Sequence, residues 1–174
     1  MLLAGCETTQ TTSPDFRVLV FSKTTEFRHP SIPDGVAAIR RLGQENDFAV
    51  ETTEDASQFT NENLDRYDAV VFLNTTGDIL DGAQQAAFER YIRGGGGYAG
   101  VHAAADTEYD WAWYGRLVGA YFGSHPAVQT ATVEVADQAH PSTVELPERW
   151  VRRDEWYNFR SNPRGGGMRV LATL

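Results

Sequence analysis

The sequence has little that would suit it to a disulfide framework, a membrane or a nucleic acid. It holds one cysteine, Cys6, which excludes a disulfide within the chain and any site built on a pair of cysteines. Its longest apolar runs are far shorter than the roughly 20 residues that a membrane-spanning helix needs. The formal net charge is -9, and the sequence has no cluster of Lys and Arg that could bind phosphate groups. We therefore expect no nucleic-acid partner.

The length and composition of the chain are typical of a folded domain. The chain has 174 residues, which is within the usual size of one domain, about 100 to 200 residues. Hydrophobic residues make up 41% and charged residues 22%, so there are enough apolar side chains for a core and too few charges for disorder.

The N-terminus has a feature of its own. Cys6 follows Leu3, Ala4 and Gly5, which resembles the lipobox at which bacterial lipoprotein signals are cut and lipidated, and a Thr-, Ser- and Gln-rich stretch comes next. We therefore expect residues 1–15 to be a lipobox remnant and a flexible tether. Lipidation at Cys6 would place the domain on the periplasmic side of the cell envelope. Only five residues precede Cys6, so a frayed N-terminus of a cytoplasmic protein stays an alternative.

Short β-rich runs alternate with helical patterns along the chain. The predicted strands cover residues 17–22, 48–52, 67–74 and 98–102, and the predicted helices start at 33–34 and span about 82–93 and 106–121. The second half predicts a strand over 129–135, an aromatic loop over 154–160 and a last strand over 168–174. Strands that alternate with helices predict a mainly parallel sheet with helices on both faces, a three-layer α/β fold. In the first helix, Val36, Ile39 and Leu42 share the face that we expect to be buried.

Polar side chains follow three of these strands. His29 comes after the first, Asn74 after the third, and His102 to Asp106 after the fourth. In an open α/β sheet, ligands bind at the carboxyl ends of the strands. We therefore expect the chemistry at that edge.

His102 is the strongest single candidate. It ends a Gly-rich strand and begins a tight turn into three alanines, as in a nucleophile elbow. The elbow presents an imidazole instead of Ser or Cys, which disfavours an acyl-enzyme and favours acid–base catalysis or metal ligation. A structural histidine that caps the next helix remains an alternative.

His29 and His125 extend this to a metal hypothesis. The spacings among His29, His102 and His125 are 73 and 23 residues, which match no local metal motif. A divalent metal such as zinc would therefore need the fold to assemble its site, with Asp106 or Glu155 able to add a carboxylate.

Residues 154–159 combine a carboxylate with aromatic and amide side chains. Glu155 offers an acid or an acceptor, while Trp156, Tyr157 and Asn158 offer flat apolar faces and hydrogen bonds, which is how many sugar pockets are lined. An aromatic plug over the sheet edge is the alternative. His140, by contrast, lies in a predicted turn, and we interpret it as structural or exposed.

The chain resembles the ThuA-like (trehalose-utilisation) family in six segments, found in order over residues 16–174: 27–29, 73–77, 96–104, 122–126, 140–141 and 154–159. The resemblance implies a flavodoxin-like, class I glutamine amidotransferase-like fold. Where amidotransferases carry Cys at the elbow, this sequence has His102, as is usual for the family. The family's domains continue past the equivalent of Leu174, so we expect the domain at 16–174 to be cut short at its C-terminus.

The resemblance also implies a role in carbohydrate metabolism, especially of disaccharides and keto-sugars. The leading hypothesis is an enzyme with a sugar as its small-molecule partner, in which His102, His29 and Glu155 are catalytic. Sugar-binding roles fall to the polar and aromatic residues around them: Asn74, Thr75, Asp106, Trp156, Tyr157 and Asn158. The alternative is a non-catalytic glycan-binding module, held at the membrane only by a lipid on Cys6. Association into a homo-oligomer is left open.

Overall fold

The computed structural model describes residues 14–164 and 167–174. At its centre is a parallel sheet of four strands in the order β2-β1-β3-β4: β1 (Phe16–Phe21), β2 (Phe48–Thr53), β3 (Ala69–Leu73) and β4 (Gly97–Val101). From β1 the chain passes to β2 on one edge of β1, and β3 then lies against the opposite edge of β1. The direction in which strands are added to the sheet therefore reverses between β1 and β3. This is the kind of position at which open α/β sheets bind ligands.

In the part of the chain that the structure describes, four α-helices accompany the sheet: α1 (Ile32–Glu45), α2 (Asn61–Leu64), α3 (Gly82–Arg93) and α4 (Ala112–Val118). On one face, Val36 and Ile39 of α1 pack against Val18, Val20 and Leu73. The opposite face carries the aromatic core, which we define as Phe21, Phe59, Phe72, Phe88 and Tyr114. Helices thus cover both faces, and the predicted three-layer α/β fold is confirmed.

The second half of the chain adds two small antiparallel sheets. The first pairs β5 (Phe122–Ser124) with β8 (Asn158–Phe159). The second places β6 (Gln129–Val135) between β7 (Arg149–Asp154) and β9 (Ala172–Thr173). These sheets bring residues 155–157, the turn between β7 and β8, to the site described below.

The predicted helix over 106–121 is wrong in its first part. A short 3₁₀ turn over His102–Asp106 is followed by an extended Thr107, whose hydroxyl donates to the carbonyl oxygens of Ala103 and Thr75. This hydroxyl ties the segment to the residues that follow β3, and regular helix covers only Ala112–Val118, with Gly119, whose φ is 92°, as its C-terminal cap.

Two further predictions need correction, whereas the predicted aromatic loop over 154–160 is loop at 155–157, between the end of β7 and the two residues of β8. The predicted last strand covers only Ala172–Thr173. Leu42 is 46% exposed instead of buried. The neighbouring Gly43 explains this exposure, because α1 approaches β2 most closely at that glycine. A Cβ on Gly43 would be 2.7 Å from the Phe48 carbonyl oxygen. Within the described ranges, no helix is both long and apolar enough to cross a bilayer.

Candidate functional site

Three loops at the carboxyl ends of β1, β3 and β4 meet in one place. They bring His29, Asn74 and His102 to the wall of the same cleft. Asn74 and His102 directly follow their strands in the left-handed conformation, with φ of 51° and 49°. This conformation is tolerable for Asn but costs other residues about 1–2 kcal/mol, so the turn at His102 is maintained by its surroundings.

Two buried threonines after β3 hold these loops together. The Thr76 hydroxyl donates to the Phe27 carbonyl oxygen at 2.9 Å, and Thr75 accepts at its own carbonyl from the Thr107 hydroxyl at 2.7 Å. The Thr75 side chain is fully buried and contacts the Thr107 hydroxyl. The predicted sugar-binding role of Thr75 therefore does not fit its position, since the side chain points into the interior.

Two histidines and one carboxylate form the centre of the site, which we call the histidine–glutamate cluster (His29, His102 and Glu155). The His102 Nε2 atom lies 3.0 Å from Glu155 Oε2, and His29 Nε2 lies 3.8 Å from the same oxygen. The two imidazole rings meet edge to face, with centroids 4.8 Å apart. Residues that lie far apart in the sequence are thus brought together, as predicted for the sheet edge.

His125 contacts the cluster from outside the cleft. Its Nε2 atom is 3.4 Å from Glu155 Oε1, the second carboxylate oxygen. Its Nδ1 atom lies 2.9 Å from the Pro126 carbonyl oxygen. The His125 ring is thus held between the Glu155 carboxylate and the Pro126 carbonyl oxygen.

The electrostatics of the site keep His29 neutral. Burial lowers the pKa of His29, and the neighbouring His102 lowers it further, while the Glu155 carboxylate opposes both effects. The His29 Nδ1 atom is buried without a hydrogen-bond partner among the described residues. A neutral imidazole can accept a proton or bind a cation at physiological pH.

Aromatic rings surround the cluster. The Tyr157 ring packs against His102 with a centroid distance of 4.2 Å and against Phe122 at 4.3 Å, and Phe27 meets His29 edge to face at 4.8 Å. Burial, followed by the charges of Glu155 and Asp106, raises the pKa of Tyr157, so its hydroxyl keeps its proton at neutral pH. Tyr157 can therefore donate a hydrogen bond to a bound oxygen.

The cleft has a volume of about 1270 Å³. Seven of the predicted site residues line it: His29, Asn74, His102, Glu155, Trp156, Tyr157 and Asn158. The indole N–H of Trp156 donates to the Gln129 carbonyl oxygen at 2.8 Å, which fixes the ring at the cleft wall.

Asp106, Thr75 and His125 do not line the cleft. The Asp106 carboxylate accepts a hydrogen bond from the Tyr109 hydroxyl, which braces the turn after His102. The predicted metal set contained His125, whereas the structure groups Glu155 with His29 and His102: one donor atom from each lies within 4.8 Å of the others.

Two residues of the site were missed in the sequence. Ser31, at the start of α1, accepts a hydrogen bond from the Asn74 side-chain amide at 3.0 Å, and Asn74 Oδ1 is left without a partner among the described residues. A serine two positions after His29, just before a predicted helix, was the available signal. Tyr109 follows Asp106 by three residues, but nothing in that spacing identifies a brace.

Known proteins agree with this architecture. A putative ThuA-like protein from Bacteroides uniformis superposes with a TM-score of 0.81 at 28% identity, over 98% of this chain and 72% of that chain. A putative ThuA-like protein from Parabacteroides merdae, at 20% identity, shares the fold with a TM-score of 0.73, over 90% of this chain and 67% of its own. No curated protein matches the chain. The family model for ThuA, described as trehalose utilisation, matches residues 17–174, and the chain therefore belongs to the ThuA family.

Proposed function

We propose that this protein is an enzyme of carbohydrate metabolism that acts on a keto-sugar or a disaccharide at the histidine–glutamate cluster. Membership of the trehalose-utilisation family supports a carbohydrate-related role. The observation that carries the proposal is the cluster itself, in which two imidazoles and a carboxylate meet at the carboxyl edge of the sheet, beside a large cleft.

The shape and lining of the cleft suit a sugar. Its volume of about 1270 Å³ exceeds the roughly 300–1000 Å³ of typical small-molecule pockets, which leaves room for two sugar rings. Trp156 supplies a flat face for the apolar side of a ring, and Asn74 and Asn158 supply amides for hydroxyl groups.

The cluster provides what chemistry next to a ketone requires. Removal of a proton from the carbon beside a carbonyl needs a base whose pKa is near neutral, and an imidazole is such a base. The Glu155 carboxylate would stabilise the imidazolium formed at His102, and the Tyr157 hydroxyl would donate to the carbonyl oxygen. Whether His102 takes the proton itself or holds a cation that polarises the carbonyl, turnover depends on it.

The test compares two histidine variants of the full chain on keto-disaccharides. We expect His102→Ala to lower turnover by about 100-fold or more, the usual contribution of a general acid or base. His140→Ala is the matched control, because His140 bonds within its own turn to Ser142 and lies outside the cleft. Exchange of the proton beside the ketone with deuterated solvent, followed by NMR, reports the step directly. Unchanged turnover in His102→Ala would contradict the proposal.

A glycan-binding module is the second candidate, and the fixed indole of Trp156 is the observation that favours it. A ring held at the cleft wall can bind a sugar without any chemistry at the cluster. This candidate predicts sugar binding by calorimetry that survives His102→Ala and is lost in Trp156→Ala. Turnover by the wild-type chain excludes it.

We also propose that a lipid on Cys6 attaches the domain to the cell envelope. Cys6 lies outside the described residues, and the proposal is supported by its lipobox-like sequence alone. Fractionation of the source cells should recover the protein with the membranes, and recovery in the cytosolic fraction would contradict the proposal.

A further inference from the structure

We infer that His29, His102 and Glu155 form a divalent-cation site, for which zinc is the best fit, with its open coordination position facing the cleft. The inference deepens the proposed function, because it names the group with which a sugar oxygen would interact. Its existence can nevertheless be tested without any sugar.

The separations of the donor atoms agree with ligands of one ion. Atoms bound to zinc at about 2.0–2.1 Å in a tetrahedron lie roughly 3.3 Å from one another. The Glu155 Oε2 atom is 3.0 Å from His102 Nε2 and 3.8 Å from His29 Nε2, and all three donors lie within 4.8 Å of one another. Small side-chain rotations would therefore suffice to bring the three atoms to one centre.

The type and placement of the donors favour a catalytic site over a structural one. Two imidazoles and one carboxylate are a ligand set that catalytic zinc uses, with the remaining position open to water or substrate. All three residues line the cleft, and their side chains are 13–29% exposed. The centre can thus be reached from the cleft, and a sugar hydroxyl or carbonyl oxygen is the ligand class that fits the open position.

His125 is not a ligand in this arrangement but a positioning residue. It faces Oε1 of Glu155, the oxygen that the other two histidines do not share, and its ring is oriented by the Pro126 carbonyl. Partners of this kind hold a ligating carboxylate in place, and their loss typically lowers metal affinity by about 10–100-fold. The structure thus divides the three histidines into two ligands and one support.

Without a cation, the same contacts would be ordinary hydrogen bonds between imidazoles and a carboxylate. A cation site and a set of hydrogen bonds differ in the stoichiometry with which the protein binds metal. A cation site binds one equivalent of metal that depends on each of the three ligands, whereas hydrogen-bonded histidines bind metal weakly and without a defined ratio.

The experiment uses the full chain, free of any histidine tag and treated with a chelator. Calorimetric titration with zinc should show one equivalent bound, and Co²⁺ should give the absorption bands of a protein-bound ion.

His102→Ala and Glu155→Gln should each weaken zinc binding by at least about 100-fold, while His140→Ala leaves it unchanged. His125→Ala should keep the stoichiometry with a 10–100-fold loss of affinity, and His125→Gln, which can still donate to Glu155, should restore part of it. Circular dichroism confirms that each variant is folded.

The outcomes separate this inference from the proposed function. Absence of stoichiometric binding, or zinc affinity that persists in both ligand variants, overturns the cation site. Sugar turnover that persists in the chelated protein also overturns it, but leaves the proposed function standing. Stoichiometric zinc without turnover of any keto-sugar supports the site and contradicts the proposed function.

Discussion

Two groups of aromatic rings serve opposite purposes in this molecule. In the aromatic core, Phe72 is fully buried, and five other rings lie within 6 Å of its own, centroid to centroid. At the cleft, Phe27 is 64% exposed, and Tyr157 packs against the catalytic candidate His102. The first group is closed to ligands and the second is open.

The hydroxyl of Tyr114 in the core and the polar groups of the cleft differ in the same way. In the core, the Tyr114 hydroxyl donates its hydrogen to the Ala104 carbonyl oxygen at 2.7 Å, so that hydrogen is not free to bind a ligand. At the cleft, His29 Nδ1 and Asn74 Oδ1 have no partner among the described residues, and His102 adopts a left-handed conformation. Since unpaired groups and strained backbone cost stability, the core stabilises a cleft that is unfavourable by itself.

The largest expected effect is on the core side of this comparison. Phe72→Ala removes a ring that is packed on all sides and leaves a cavity, so we expect the free energy of unfolding to fall by about 3–5 kcal/mol. Urea denaturation followed by circular dichroism measures the change. Phe27→Ala is the control at the cleft, where the exposed ring should contribute less than about 0.5 kcal/mol. Equal losses in the two variants would remove the distinction between core and cleft.

The same comparison explains how far the sequence could lead. The four parallel strands and the sheet edge with His29, Asn74 and His102 were predictable, because short β-rich runs and their order along the chain determine them locally. The contact of Glu155 with His102 spans 53 residues and depends on the antiparallel pairing of β6, β7 and β8 with their partners, which no local pattern specifies. The sequence therefore identified Glu155 as a candidate, but only the fold shows its partners.

The inward direction of Thr75 was beyond prediction for a related reason. A polar residue after a strand can face either the ligand or the interior, and the choice depends on Thr107, which lies 32 residues away. Likewise, Leu42 kept the helical period of a buried residue, yet Gly43 controls how closely α1 approaches β2. Tertiary contacts decided both cases.

A smaller effect is expected from the backbone at His102. Its φ of 49° is strained for histidine and for alanine but free for glycine. His102→Gly and His102→Ala both remove the imidazole, so the two variants differ chiefly in this strain. We expect the glycine variant to be more stable by about 1 kcal/mol in urea denaturation, with turnover lost in both. An alanine variant as stable as the glycine variant would show that the strain at this turn is no larger than the extra conformational entropy that glycine loses on folding. The cleft would then cost less stability than the comparison with the core implies.

The smallest expected effect is electrostatic and concerns His29. Because the pKa of His29 is lowered first by burial and then by His102, replacing His102 with Gln should raise it, though not to 6.5, since burial remains. Histidine ring-proton NMR on chelated protein measures this directly, with His140→Gln as the control. Because the pKa of His29 is lower in the folded chain, the unfolded chain binds more protons than the folded one below about pH 6.5. The contribution of His29 to the free energy of unfolding is therefore present above that pH and is lost as the pH falls through the pKa of the folded state. The loss of stability on acidification should therefore be smaller in His102→Gln than in wild type, and an unchanged His29 titration would show that the two imidazoles are not coupled.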